Sequence, residues 1–300
     1  MKMLSRLLLI TILMSTIHAV SAARETARID FSIQSPIAES IACRIHLANE
    51  NNQPIKANGQ PFWKDHFTCP GRVTVEVPPG VYRWTIEKGP EYEQVTGELQ
   101  IKANQVSTVN VTLKRIAHLR QGGWYSGDLH IHRAIKDVPA LIKAEDLDFA
   151  PVITWWNSPA STREFVPRTQ SRFDGHRIME VLAGEDEREG GALLYFGLQR
   201  PLDLSVESRE FPSPMHFVNQ ARTETPDVWI DIEKPFWWDV PTWLASEQMN
   251  SIGIANNHMC RNQMYESEAW GRPRDSNRLP APRGNGFWTQ EIYYHMHWNS

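Results

Sequence analysis

Two histidines one residue apart are the first chemistry this chain offers. In "GWYSGDLHIHR" (residues 123–133), His130 and His132 follow a glycine and an Asp-Leu pair. Side chains at i and i+2 of an extended segment point to the same side. A strand here therefore presents two imidazoles to one spot, a donor pair suited to a divalent ion. Three further places carry matching groups: the acidic run "GEDERE" (184–189), the pair Asp231 and Glu233, and His258 in "ANNHM". Two imidazoles, a carboxylate and a third imidazole make a nitrogen–oxygen shell for zinc, manganese or iron. A bound ion of this kind lowers the pKa of its water to near neutrality and polarises a carbonyl or phosphoryl oxygen. Each signal alone has a plainer reading: a polar strand face, a solvated acidic turn, ion pairs to Arg or Lys, a structural histidine.

The elements that must position these groups fall into two parts. Residues 24–116 alternate like strands, with Ile41, Cys43, Ile45 and Leu47 on one face of "IACRIHL" and Val73, Val75 and Val77 on one face of "RVTVEV". "VYRWTIE", "TGELQIK" and "STVNVTL" follow between turn signals such as "PPG" and "KGPE". Short alternating strands at this spacing predict a small all-β sandwich, and its composition resembles the carboxypeptidase-regulatory-like modules that precede extracellular enzymes. His46 and His66 stand isolated within it and read as ordinary surface or satisfied histidines. From Gly122 onward, apolar runs ("DLHIH", "APVITWW", "IMEVLAG", "ALLYFGL", "DVWIDIE", "SIGIANN") alternate with segments of helical character at 138–149, 240–250 and 287–298. Such alternation favours a parallel sheet or barrel, whose strand ends carry the chemistry. Most of the runs do end on polar groups, at His132, Asn157, Glu185, Glu233 and His258.

"GWYSGDLHIH" closely resembles the first motif of the PHP (polymerase and histidinol phosphatase) superfamily, in particular its CehA/McbA-type metallohydrolase branch. The resemblance runs from Gly122 to Ser300 and implies a distorted (β/α)7 barrel over 120–300, with His130 and His132 as the first two metal ligands. "LAGEDE" resembles the segment whose carboxylate bridges metals, which implies Glu185, with Asp186 or Glu187 as register alternatives. "IANNHM" resembles the strand-end histidine motif and implies His258. Where the family carries Thr-Asp-His, this chain reads "ITWWN", with Trp155 and Trp156 in place of ligands. Indole is a donor only, so one or two ions are the most this set supports, with zinc the first choice. The family's closing Asp-x-His is missing. A barrel lacking its last strand exposes an edge, which implies a fragment first, or else a fold completed by a partner chain or a swapped segment.

The rest of the composition narrows the setting. A net charge of -4 with no basic stripe argues against nucleic acid as a partner. Lys2 and Arg6, the apolar "LLLITILM" and the small-residue "VSA" read as a cleaved signal peptide over 1–22. No later run approaches a membrane span, so the expected place is periplasmic or secreted. Cys43 and Cys69 are able to pair, although spacing alone does not establish a bridge. Cys260 is the odd thiol, either buried or a ligand near His258.

Two functions follow as expectations. In the first, the chain is a secreted metal-dependent hydrolase of an ester, amide or phosphoester in a small molecule or glycan. His130, His132, Glu185 and His258 hold the ion, and Asp128 and Asn257 orient the ligands. Asp231 or Glu233 is then the general base. Trp155, Trp156 and Asn157 line the substrate side, and the Trp237–Trp238 pair adds to an apolar or sugar-stacking wall. In the second, a degenerate barrel without chemistry binds a ligand or glycan through its tryptophans; ten of the twelve lie after residue 116.

Overall fold

The computed structural model describes residues 26–156, 168–188, 190–204, 211–234 and 239–253. The signal-like segment, the 287–298 segment, Asn157, the Trp237–Trp238 pair, Asn257, His258 and Cys260 lie outside these residues.

The first lobe is built from eight strands: β1 (Ala27–Gln34), β2 (Cys43–Asn49), β3 (Phe62–Trp63), β4 (His66–Cys69), β5 (Arg72–Val77), β6 (Gly80–Glu87), β7 (Val95–Ile101) and β8 (Val106–Thr112). They form a three-stranded sheet, β5-β1-β8, and a five-stranded sheet, β3-β4-β2-β6-β7. The alternating apolar positions explain both. Ile29, Phe31, Ile33, Val75, Val77, Val109 and Val111 from the smaller sheet share one core with Ile45, Leu47, Phe67, Tyr82, Ile86 and Ile101 from the larger. The polar residues between them face solvent, as a half-buried strand requires. Cys43 and Cys69 are register partners within this core and are free thiols in the structure.

The second lobe contains α1 (Val138–Ala144), β9 (Phe149–Trp156), β10 (Thr169–Phe173), β11 (Arg177–Arg188), β12 (Gly191–Phe196), α2 (Pro214–Glu224), β13 (Trp229–Ile232), α3 (Val240–Ala245) and β14 (Ser251–Ile252). Its sheet runs β10-β11-β12-β13-β14, with β9 also pairing β11. Here the (β/α)7 barrel expectation is overturned. Such a barrel needs parallel strands joined by crossover helices, whereas β10–β11, β11–β12 and β12–β13 are antiparallel. Among the described strands of this sheet, only β9–β11 and β13–β14 run parallel. Among the described residues the chain is dominated by three sheets, and its α-helices are short. Among the described residues, five of the six apolar runs contain strands, as their composition demands. The hairpin breaks the alternation: Arg188 pairs with Gly191, so β11 turns directly into β12 with no helix between them.

Helices α2 and α3 cover one face of this sheet. Phe217, Val218, Ala221, Val240 and Trp243 pack there on Leu193, Tyr195, Ile230 and Ile232. Under α1, Val138 and Ile142 pack with Ile131, Ala150, Val152 and Val181.

A buried ionic knot joins the two lobes. Asp146, in a left-handed turn (φ 58°) just after α1, accepts from Arg177 Nη2 at 2.6 Å and Arg115 Nη2 at 2.5 Å, and lies 3.5 Å from Lys88 Nζ. Lys88 also donates to the Lys143 carbonyl, and Arg44 of β2 pairs with Glu145 at 3.0 Å. Gly89 lets the chains meet this closely: a Cβ there would sit 2.4 Å from the Glu145 carbonyl oxygen.

Burial opposes the charge on Asp146, but Lys88, Arg177 and Arg115 outweigh it and hold the carboxyl at about 2, down from 3.8. A carboxyl held down in the folded state contributes stability that is complete above its unfolded value and is lost as pH falls through the folded one. Urea unfolding is therefore expected to lose on the order of 2 kcal/mol between about pH 4 and pH 2. Asp146→Asn should be weaker at neutral pH and should lack that component of the acid slope.

Candidate metal centre

The segment carrying His130 and His132 lies along the free edge of β9 rather than forming a regular strand. It is held by isolated parallel bridges, Gly127 to Phe149 and Ile131 to Val152. Ile131 points into the α1 core, so its neighbours at i−1 and i+1 turn the other way. The same-side placement expected of an extended His-x-His is what the local geometry produces.

Glu185 comes to the pair from β11. Alternation along that strand separates the acidic run. Asp186 and Arg188 share a face and pair at 2.6 Å, with Arg188 stacked over Phe217 of α2. Glu185 occupies the opposite face. Glu187 is drawn to Lys234, at 2.6 Å. Glu185, not its two register alternatives, thus meets the imidazoles.

Three donor atoms converge. His130 Nε2 is 3.1 Å from His132 Nε2 and 3.3 Å from Glu185 Oε2, and His132 Nε2 is 3.0 Å from the same oxygen. An ion with bonds of about 2.0–2.1 Å in tetrahedral geometry has ligand–ligand edges of about 3.3 Å. The triangle is therefore close to one face of such a site. The other ring nitrogen of His130, Nδ1, lies 2.9 Å from Glu233 Oε1, the carboxylate–imidazole pairing that orients ligating histidines. Glu185 is buried, and its Oε1 has no hydrogen-bond partner among the described residues. An idle oxygen on a buried carboxylate, beside two imidazole nitrogens, fits a borderline divalent cation better than it fits a closed ion-pair network. Without an ion, burial disfavours the His130 cation, yet hydrogen bonds to Glu185 and Glu233 outweigh burial and raise the ring to about 10. Burial also works against the Glu185 charge, and His130 and His132 overcome it, holding that carboxyl well below its usual range.

The remaining sequence candidates separate. Asp128 Oδ1 accepts from the backbone N–H of His130 at 3.0 Å, so it shapes the chain before the ring and does not touch the ring itself. Glu233 is committed to His130 and lies 3.7 Å from Lys234. Asp231 is buried, accepts from Ser251 Oγ, and is raised by burial, with the nearby charge of Glu233 adding to this. Trp156, the register partner of Glu185, meets His132 edge-on with ring centroids 4.9 Å apart. Trp155 is buried with its ring against Gly184 and 5.9 Å from Tyr195, so it is packing rather than a wall.

Two features escaped the sequence reading. Lys234 is buried between Glu187 and Glu233; its signal was its place directly after the acidic strand end "DIE". The sandwich lobe also contributes to the site. A cleft of about 540 Å³ holds His130, His132 and Arg133 together with Trp63, Lys64 and His66 of the β3–β4 hairpin. Arg133 stacks on Trp63 at 4.7 Å and reaches the Phe62 carbonyl. No pattern within the sandwich segment announced this.

No family model and no curated protein matches the chain. Solved structures similar to parts of it include a minor pilin of Streptococcus agalactiae (18% identity, 31% of this chain and 46% of that one, TM-score 0.26). A streptococcal ancillary pilin matches at 10% identity over 64% of this chain and 61% of that one, with a TM-score of 0.24. Phospholipase PlaB from Legionella pneumophila matches at 10% identity over 31% and 25%, with a TM-score of 0.22. The chain spans less than two thirds of each, and likenesses at these scores carry no argument. The PHP resemblance is corrected: no family model supports it, and the open mixed sheet is not the barrel it implies. Among the described residues no helix is long and apolar enough to cross a membrane.

A Cβ on Gly184 would lie 1.9 Å from the Trp155 ring. Gly184→Ala is therefore expected to destabilise the protein by about 1–3 kcal/mol or more through overpacking, read as a lowered Tm. Because Glu185 is the next residue, the same variant should also weaken divalent-ion binding.

Proposed function

We propose that this chain is an exported metal-dependent hydrolase of an ester, amide or phosphoester, with His130, His132 and Glu185 holding one divalent ion, zinc first and manganese or iron as alternatives. The observation that carries the reading is the near-tetrahedral triangle of donor atoms, 3.0–3.3 Å on its edges, at one wall of an open cleft. Export rests on the signal-like first 22 residues.

When bound, such an ion supplies a water of lowered pKa and a Lewis acid for the oxygen of the scissile group. The chain's own residues do the rest. Glu233 accepts the Nδ1–H of His130 and fixes the tautomer that leaves Nε2 free as a donor to the ion. Lys234 balances the charge of Glu233 and Glu187 close to the centre. With Glu233 so committed, Asp231 is the remaining candidate to hold a proton. Its burial lifts the carboxyl toward the range useful to a general base. The cleft lining brings Trp63, Lys64 and Arg133 together with the imidazoles, with Arg133 stacked on Trp63, an aromatic and cationic surface suited to a small substrate carrying negative charge. The glycan-binding alternative, which relies on exposed tryptophans of this half of the chain, is weakened by the burial of Trp155.

Metal analysis of the purified full-length chain should find close to one equivalent at this centre, lost in His130→Ala and in Glu185→Gln. Retention of that equivalent in both variants would overturn the reading. On a substrate that the loaded protein turns over, Asp231→Asn should lower kcat by about 10²–10⁴ with little change in metal content. An unchanged kcat would remove Asp231 from the role of base.

A further inference from the structure

The β3–β4 hairpin holds a second cluster of the same chemistry, on the sandwich lobe and outside the set of residues assigned above. β2 and β4 are antiparallel with Ile45 opposite Phe67, and one step further along the ladder the rings of His46 and His66 lie 4.9 Å apart. Asp65 lies in the tight connection between β3 and β4, where Lys64 takes a positive φ of 48° and the Asp65 N–H returns to the Trp63 carbonyl. Its two carboxylate oxygens reach both imidazoles: Oδ2 is 3.2 Å from His46 Nδ1, and Oδ1 is 2.9 Å from His66 Nδ1. One donor atom from each of the three side chains lies within 4.8 Å of the others.

The far side of His46 points to ligation rather than to a casual polar contact. His46 Nε2 is 2.8 Å from Glu87 Oε1. Glu87 is itself fixed by Arg44 at 2.8 Å and by Gln94 Nε2 at 2.7 Å. A proton held on Nε2 by this carboxylate leaves Nδ1 as a lone-pair donor facing Asp65. Glu233 bears the same relation to His130, with the ring nitrogens exchanged. The two histidine side chains are largely buried and hence positioned, at 14% and 15% exposure, while Asp65, at 55%, leaves the cluster open to solvent.

We propose that His46, Asp65 and His66 form a second divalent transition-metal site, for zinc or a similar borderline ion, completed by water. Two imidazoles and a carboxylate select such ions over calcium or magnesium, which prefer all-oxygen shells. His66 also lines the cleft that holds His130 and His132, so an ion here would sit on the sandwich side of the same opening. The proposal stands independently of the hydrolase reading.

Zinc binding to the metal-stripped full-length chain, followed by calorimetry and elemental analysis, tests it. The His130→Ala/His132→Ala double variant should still take up one equivalent, and adding His46→Ala/His66→Ala to it should abolish uptake. Asp65→Asn, at an exposed turn where the fold is not at stake, should weaken the retained site at least tenfold without moving Tm. Cobalt in the His130→Ala/His132→Ala background should show visible d–d bands that disappear in the four-histidine variant. No zinc uptake by the His130→Ala/His132→Ala protein, or uptake unchanged by both His46→Ala/His66→Ala and Asp65→Asn, would overturn the proposal. If the hydrolase reading alone fails, wild type binds one equivalent that is insensitive to His130→Ala/His132→Ala but lost with the His46 and His66 pair.

Discussion

Asp146 holds the two lobes in one arrangement, and the cleft depends on that arrangement. A carboxylate buried without compensation would be strongly unfavourable. Here Lys88 and Arg115 come to it from the sandwich side and Arg177 from the start of β11. Removing Asp146 would leave Lys88 and Arg177, both largely buried, without the carboxylate they share, so the contact differs from a set of separable surface pairs. Gly89 permits the backbone approach at the same spot. The consequence lies some distance away, where the β3–β4 hairpin of one lobe faces the His130–His132 segment of the other across a shared opening.

A second constraint works at the centre itself. Acidic and basic groups are threaded through the sheet so that each carboxylate is claimed: Asp186 by Arg188, Glu187 by Lys234, Glu233 by His130. Glu185 instead grips two imidazoles through one oxygen, while its other oxygen has no hydrogen bond among the described residues. Mutual claiming sorts a run of like charges into one group free for an ion and several that shape its surroundings. The helices α2 and α3 close the opposite face of the sheet.

The failed barrel expectation is informative. The apolar runs at 149–156, 177–188, 191–196 and 229–232 are strands because they are long enough and apolar enough to be buried on a sheet. Whether consecutive strands run parallel is decided by what connects them, and two residues between Arg188 and Gly191 leave room only for a hairpin. A short motif that matches a family locally carries no information about such connections. Trp155 shows the same limit: its ring fills the space over Gly184, a role set by a neighbour on another strand and invisible in "ITWW".

By itself, the sequence determined the sandwich core, through strict alternation at positions such as Cys43, Ile45 and Leu47, and the same-side placement of His130 and His132, through the two-residue period of an extended chain. Both are local, because a side chain's face follows from its own backbone. Only the tertiary structure decided which carboxylate of the acidic run meets the imidazoles, that Glu233 orients one of them, and that His46 and His66 stand together on the cleft side of the sandwich. Those pairings join residues from about 20 to over 100 positions apart, set by register and lobe docking, and no local rule reaches that far.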